Sequence, residues 1–142
     1  HNIGHIMMEQ FQPDDFKQIM IKYRTEPKNL YEIEQALLGY DHALLASEVM
    51  KEWDFHEDLY LPIRYHHQPL LAPAHVRKDA TMLFVIDQLC THFEFGFSDI
   101  KHTNKFNFLS SISLYNLEER SLDIIMEAVE EEILKMEQLG WF

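Results

Sequence analysis

Histidine is the residue type in this chain whose number and placement could support chemistry. The sequence contains nine histidines, and a neutral imidazole is the commonest side-chain ligand of transition metals. Four of them stand beside an amide, at the start of a helical pattern or as an adjacent pair: His1, His42, His66 and His67. Asp87 joins them because it interrupts the apolar run LFVIDQL, where a buried carboxylate needs a partner. These five side chains are the first candidates for a functional site.

Each candidate also has a purely structural explanation. A histidine near a helix end usually caps the helix or faces solvent, and a buried aspartate usually caps a helix or pairs with a basic side chain. His66 and His67 are consecutive, so they point about 100° apart around a helix and reach one centre only if the helix ends there. Pro69 follows two residues later and favours such an end.

Motifs of the commonest enzyme classes are absent from the sequence. The chain has no glycine-rich nucleotide loop, no GxSxG nucleophile elbow, no paired cysteines and no HExxH motif. The single cysteine, Cys90, excludes an intrachain disulfide and a multi-cysteine metal site, and it is typical of a reducing compartment. A chemical function would therefore depend on the histidines and Asp87.

Composition narrows the class of protein further. With 142 residues, of which 46% are hydrophobic, residues 1–142 are expected to form a single domain with its own core. The formal net charge of -12 repels polyanions, so we expect no nucleic acid partner. The longest apolar run, Met82 to Ile86, is far shorter than the roughly 20 residues of a membrane-spanning helix. We expect a soluble cytoplasmic protein without a membrane partner.

Helical periodicity dominates the chain and predicts an all-α fold that must position these residues. Asp14 or Asp15 is expected to cap an early helix. Asn29 and Glu32 have the spacing of a capping box at the start of the next helix, and Gly39 is a typical helix stop. Two short helices are therefore predicted ahead of His42.

The middle of the chain is also predicted to be helical. A helix beginning at Asp41 carries His42 in its first turn. Pro62 removes a backbone donor inside a helical pattern, so we expect a kink or a restarted helix there. A further helix is expected to begin near Pro73 and to end about Gly96. The residues predicted to face inward are Leu44, Leu45, Val49, Trp53, Val76, Leu83, Phe84 and Leu89.

The last part of the chain is predicted to hold a short helix over 106–113 and a long acidic helix over 117–139. One face of the long helix carries the apolar residues Leu122, Ile125, Val129, Ile133 and Met136. This face could dock on the protein's own core, or it could bind a partner or a second copy of the chain.

Taken together in chain order, these residues resemble the C-terminal part of the HDOD domain, a relative of the HD superfamily of metal-dependent phosphohydrolases. The matching stretches are HNIG, GYDHALLASEVMKEW, IRYHHQP and FVIDQL, and the resemblance covers essentially the whole chain. The positions that agree with the family pattern include Glu34, Gly39, His42, Trp53, Ile63, His66, His67 and Pro69. The resemblance implies an all-helical HD-like bundle that is incomplete at its N-terminus. His1 alone could instead be the remnant of a purification tag.

The resemblance also implies a metal site. Catalytic relatives hold one or two ions with a His-Asp pair, later histidines and a distal aspartate, and by position the candidate ligands here are His1, Asn2, His42, His66, His67 and Asp87. Asn2 replaces the aspartate of the pair and adds no negative charge. Two dications about 4 Å apart repel by roughly 17 kcal/mol at an effective dielectric of about 20. We therefore expect either no ion or a single weakly held iron, zinc, manganese or nickel ion, with Asp87 as a ligand or as a structural partner of a histidine.

Two further departures from the catalytic relatives favour a regulatory function. His5 stands where those relatives have a lysine, and the DG.GYP continuation after HHQP is missing. The leading hypothesis is a non-catalytic signal-transduction module of bacterial type that acts through a regulatory protein partner or through other domains of a longer chain. The alternative is a metal-dependent phosphohydrolase acting on a nucleotide or cyclic dinucleotide. Missing N-terminal helices would expose an apolar face, so self-association to a homo-oligomer is also expected.

Overall fold

A computed structural model of the chain describes residues 1–94, 99–102 and 105–140, with the backbone alone at Phe106. The described residues are helical and contain no strand, which confirms the predicted all-α fold. The helices are α1 (Ile3–Phe11), α2 (Pro13–Thr25), α3 (Leu30–Leu38), α4 (His42–Glu52), α5 (Glu57–Tyr65), α6 (Arg77–His92), α7 (Lys105–Ser113) and α8 (Glu119–Gln138). None of the helices in these ranges is long and apolar enough to cross a bilayer.

The chain divides into two compact units. The first unit, residues 1–104, contains α1 to α6, and the second unit, residues 105–142, contains α7 and α8. All the histidines discussed above belong to the first unit. The single-domain organisation expected from the length of the chain stays a prediction.

The helix boundaries around His42 follow the sequence signals. Gly39 ends α3 with a φ of 80°, a left-handed conformation that glycine adopts without strain. Asp41 is the N-cap of α4, and its Oδ1 accepts a hydrogen bond from Leu44 N at 2.8 Å. Glu32 accepts from the backbone N–H of Asn29 at 2.8 Å, as the capping-box spacing predicts. These caps fix where α4 begins and hence where His42 points.

The predicted start of α2 was wrong. The helix begins at Pro13, with Gln12 as N-cap, and not after Asp14 or Asp15. Proline suits the first helical position because its φ is already helical and its missing N–H would have had no partner there. The two aspartates then lie in the first turn, where their negative charge interacts favourably with the positive end of the helix dipole.

The inward face of α4 is not formed by the residues predicted for it, because Leu44, Leu45 and Val49 are only half-buried. The face is formed by His42, Ala43, Ala46 and Ser47, whereas Trp53 at the C-cap is 60% exposed. Small side chains are needed because α1 lies close to α4: a Cβ added at Gly4 would overlap the backbone carbonyl of His42.

Two predictions about the region of α5 and α6 need correction. Helix α5 continues through the buried Pro62 without a restart, since a proline in this short helix removes only one backbone donor, and the alternative expectation of a kink stays a prediction. Helix α6 begins at Arg77 and not near Pro73, after a 3-10 turn at Pro69–Leu71, and it ends at His92. The Arg77 guanidinium donates to Ala72 O at 3.0 and 3.1 Å, which ties the turn to the helix start. The predicted end at Gly96 lies outside the described residues.

The other inward-facing predictions are partly confirmed. Val76 and Phe84 are buried, while Leu83 and Leu89 are only half-buried. In the second unit, α7 and α8 lie within a residue or two of their predicted bounds. Along α8, Leu122 is buried, but Ile125 and Val129 remain exposed.

Candidate metal centre

Five of the nine histidines gather in the first unit, and we call them the histidine cluster: His1, His5, His42, His66 and His67. The ring centroids of His5 and His42 are 3.8 Å apart, as are those of His66 and His67. The His42 ring lies 5.5 Å from that of His66 and 4.9 Å from that of His67. Helix α1, the start of α4 and the end of α5 thus bring their histidines to one place.

The adjacent pair reaches the cluster because α5 ends where the sequence predicted. Tyr65 is its last residue, His66 is the C-cap, and the chain turns at His67. His66 Nδ1 donates to Ile63 O at 2.6 Å, which leaves Nε2 as its free ring nitrogen. The His67 ring stacks on Tyr31 with the centroids 4.5 Å apart. Both imidazoles are therefore held in fixed orientations.

The buried carboxylate of Glu34 contacts two histidines of the cluster. Glu34 is 0% exposed, and its Oε2 accepts from His42 N at 2.9 Å and lies 2.7 Å from His42 Nδ1. Its Oε1 lies 2.9 Å from His5 Nε2. Burial alone would raise the pKa of Glu34, but the hydrogen bonds from His42 and His5 outweigh it and lower this pKa to about 2. Glu34 is therefore an anion that orients both rings.

The opposite edge of His42 faces two other polar groups. Its Nε2 lies 3.0 Å from His67 Nε2 and 3.4 Å from Asp99 Oδ2, which is itself 3.7 Å from His67 Nε2. Burial lowers the pKa of His42, but the Glu34 hydrogen bond and charge raise it overall. A cationic His42 that donates to both Glu34 and His67 is consistent with these distances.

Burial holds His66 and His67 in their neutral forms. Burial, followed by the charge on His42, lowers the pKa of His66 to about 3. Burial, followed by the charges on His66 and His42, keeps the pKa of His67 well below its ordinary value. Burial raises the pKa of Asp99. A metal ion binds neutral imidazole, so His66 and His67 are already in the form that an ion requires.

Four residues fit a cation best. One ligand atom from each of His42, His66, His67 and Asp99 lies within 4.8 Å of the corresponding atoms of the others. His66 Nε2 and both carboxylate oxygens of Asp99 are buried and have no hydrogen-bond partner within the described part of the chain. A histidine that binds a metal through one ring nitrogen usually donates a hydrogen bond from the other nitrogen, which orients the ring. The Glu34–His42 and Ile63–His66 hydrogen bonds are of this kind. The donor set therefore fits one divalent ion.

The remaining predicted ligands lie beside this group. His1 contacts His66 edge-on, with the ring centroids 4.8 Å apart, and its Nε2 lies 3.5 Å from Asp87 Oδ1. Asp87 thus lies beside a histidine, and its two expected roles, ligand or structural partner, both stay predictions. The buried Oδ1 of Asn2 finds no hydrogen-bond partner among the residues that the structure describes.

Sequence reasoning missed Asp99 and the role of His5. Asp99 lies in a poorly periodic stretch, and no spacing relates it to residues that are far away in the chain. His5 was noticed only as a replacement for a lysine. Its i,i+3 spacing from Asn2 and i,i+4 spacing from His1 on one helix could have linked it to the cluster.

Comparisons with known proteins agree with the predicted fold, and part of the chain matches the predicted family. Residues 1–69 match the sequence profile of the HDOD domain family. No curated protein matches the chain. The chain is similar to the crystal structure of an HDOD domain protein of unknown function from Geobacter sulfurreducens, with a TM-score of 0.76 and 20% identity. That similarity covers 96% of this chain and 49% of the other, so this chain spans about half the length of its neighbour.

Proposed function

From the match of residues 1–69 to the HDOD domain family, we propose that the chain is a non-catalytic regulatory module whose histidine cluster holds one divalent ion. The ion has a structural or sensing role, and the signal passes through protein contacts. The partner is a regulatory protein, another domain of a longer chain or a second copy of this chain.

The burial of the ligand atoms carries this proposal. His42 and His66 are 0% exposed and Asp99 is 1% exposed. A phosphate ester has to reach the ion that activates its attacking water. A substrate could not do so here without a rearrangement of the surrounding helices, whereas a bound ion needs no open position when its role is structural.

The charge of the site supports a single ion. His42, His66 and His67 supply neutral imidazole when an ion displaces the proton on His42, and Asp99 supplies one negative charge. Asn2 provides no charge where catalytic relatives have aspartate. Imidazole with one carboxylate suits zinc, iron, manganese or nickel in varying degree. In an open site, a bound ion would act as a Lewis acid on a substrate. In this buried site, it would instead link the start of α4 to the end of α5.

The direct test is elemental analysis of the purified protein, combined with a phosphodiesterase assay in the presence of manganese. We expect about one equivalent of a transition metal and no turnover of a phosphodiester or cyclic dinucleotide. The substitution Asn2→Asp adds a negative charge and a second coordinating oxygen, so it should tighten metal binding, while Asn2→Ala should change binding little.

Two results would contradict the proposal. Turnover that disappears in His66→Gln would identify a phosphohydrolase and favour the alternative function. Failure of both the parent and Asn2→Asp to bind metal would show that the histidine cluster is purely structural. Melting temperatures of the same variants separate loss of binding from loss of folding.

A further inference from the structure

A short segment after α6 carries a carboxylate into the histidine cluster. The segment comprises Asp99–His102, and the Asp99 side chain lies 3.4 Å from His42 Nε2 and 3.7 Å from His67 Nε2, measured at Oδ2. Neither carboxylate oxygen accepts a hydrogen bond from the described ranges of the chain. A buried carboxylate without donors is costly unless a cation compensates it, as a protonated His42 would in the metal-free chain and as an ion would after displacing the His42 proton. The position of Asp99 therefore calls for an explanation.

The side chain of Asn29 holds this segment. Its Oδ1 accepts from Lys101 N at 2.7 Å and from His102 N at 2.9 Å, and its Nδ2 donates to His102 O at 3.2 Å. The backbone adds a hydrogen bond from Leu30 N to Asp99 O at 2.8 Å. Four hydrogen bonds thus fix the segment to the start of α3.

Lys101 attaches the same segment to the end of α2. Its Nζ donates to the carbonyl oxygens of Tyr23 and Glu26, the latter at 2.9 Å. It also lies over the Tyr23 ring, 4.3 Å from the centroid. A lysine is favourable at this position because the last carbonyls of a helix lack intrahelical donors and carry partial negative charge.

We propose that Asp99–His102 is a clasp that supplies Asp99 as the carboxylate ligand of the ion, with Asn29 and Lys101 as its positioning residues. This inference rests on the proposed function, because it requires an ion in the histidine cluster. Asp99 supplies the negative charge that Asn2 does not. The linkage is reciprocal: an ion bound to Asp99 stabilises the docked clasp, and a docked clasp raises the affinity for the ion.

Binding of Co²⁺ to the metal-free chain tests the ligand. The parent and the control Asp79→Asn, an exposed aspartate of α6, should bind one equivalent with the same affinity. Asp99→Asn should weaken binding at least about 100-fold, and Asn29→Ala, which removes outer contacts only, should weaken it about 10-fold. Lys101→Met should fall between the parent and Asn29→Ala. Its matched control is Lys28→Met, an exposed lysine paired with Glu26.

Amide hydrogen exchange tests the clasp itself, by a readout that a merely structural Asp99 would not change. In the parent, Co²⁺ at about 100 times its Kd should slow exchange at the amides of Lys101 and His102 by up to about 100-fold. In Asp99→Asn the same addition should leave these two amides unchanged. If Asp99→Asn does not fold, Asn29→Ala replaces it in this comparison.

The outcomes separate this inference from the proposed function. If the parent binds no Co²⁺, both are wrong. A second outcome is that the parent binds Co²⁺, Asp99→Asn binds it equally well and Asp87→Asn does not. The proposed metal binding would then be supported, and the proposal of the clasp would be wrong. The clasp is also wrong if Co²⁺ binds to the parent without slowing exchange at Lys101 and His102.

Discussion

At the scale of single residues, Glu34 lies against the histidine cluster, where groups that favour charged forms and groups that favour neutral forms are within a few ångströms of one another. Glu34 and His42 favour each other's charged forms, whereas burial keeps His66 and His67 neutral. Below about pH 6.5 the unfolded chain binds protons at His66 and His67 that the folded chain does not. The contribution of these two histidines to stability therefore falls as the pH falls, since at these two positions the unfolded state binds more protons.

This difference in proton binding gives a measurable pH dependence. In the metal-free protein, the free energy of unfolding should fall by about 1.4 kcal/mol per pH unit for each of these two histidines below about pH 6. Urea unfolding between pH 7.5 and 5 measures the slope. His66→Gln should remove about half of it, and His75→Gln, an exposed histidine outside the cluster, should not change it. Equal slopes for the parent and His66→Gln would contradict the pKa of His66.

At the scale of elements, the sequence predicted what depends on neighbouring residues and missed what depends on distant ones. The caps at Gly39 and Asp41 and the helix end before His66 are local signals that the sequence contains, whereas the proximity of His42, His66 and His67 was expected from the family resemblance alone. Asp99 comes from a segment with no periodicity, and its position is determined by contacts with Asn29. Nothing within a few residues of Asp99 encodes that contact.

The close approach of α1 to α4 is another non-local feature, and it makes a prediction about Gly4. Helix propensity alone would favour Gly4→Ala by about 1 kcal/mol. The added Cβ would overlap the carbonyl of His42, which is backbone and cannot rotate away. The substitution should therefore displace α1 and lower the free energy of unfolding by about 2 kcal/mol net. Thermal unfolding should show a lower melting temperature for Gly4→Ala than for Ile6→Ala, an exposed position on the same helix.

At the scale of the whole molecule, a strongly acidic chain also exposes apolar side chains. The net charge is -12, while Ile6 is 67% exposed and Phe11 is 79% exposed on α1. Like charges oppose association at low salt, whereas exposed apolar groups favour it. The balance between the two should depend on screening.

Light scattering at increasing salt measures that balance. The Debye length shortens from about 10 Å at 0.1 M to about 3 Å at 1 M salt, so the mean mass should rise with salt. Phe11→Glu removes apolar area and adds charge, and it should keep the chain monomeric at higher salt than the parent. A parent that remains monomeric throughout would contradict the expected self-association.

The hydrogen bonds between Asn29 and the backbone of Lys101 and His102 also bear on the order in which parts of the first unit fold. These contacts join residues 72 and 73 positions apart, whereas His42 and His67 are separated by 25. Closing a long loop costs chain entropy before its contacts contribute any stabilisation. The histidines should therefore assemble early in folding and Asp99 should join late, so that in stopped-flow refolding Asn29→Ala should accelerate unfolding and leave the folding rate almost unchanged.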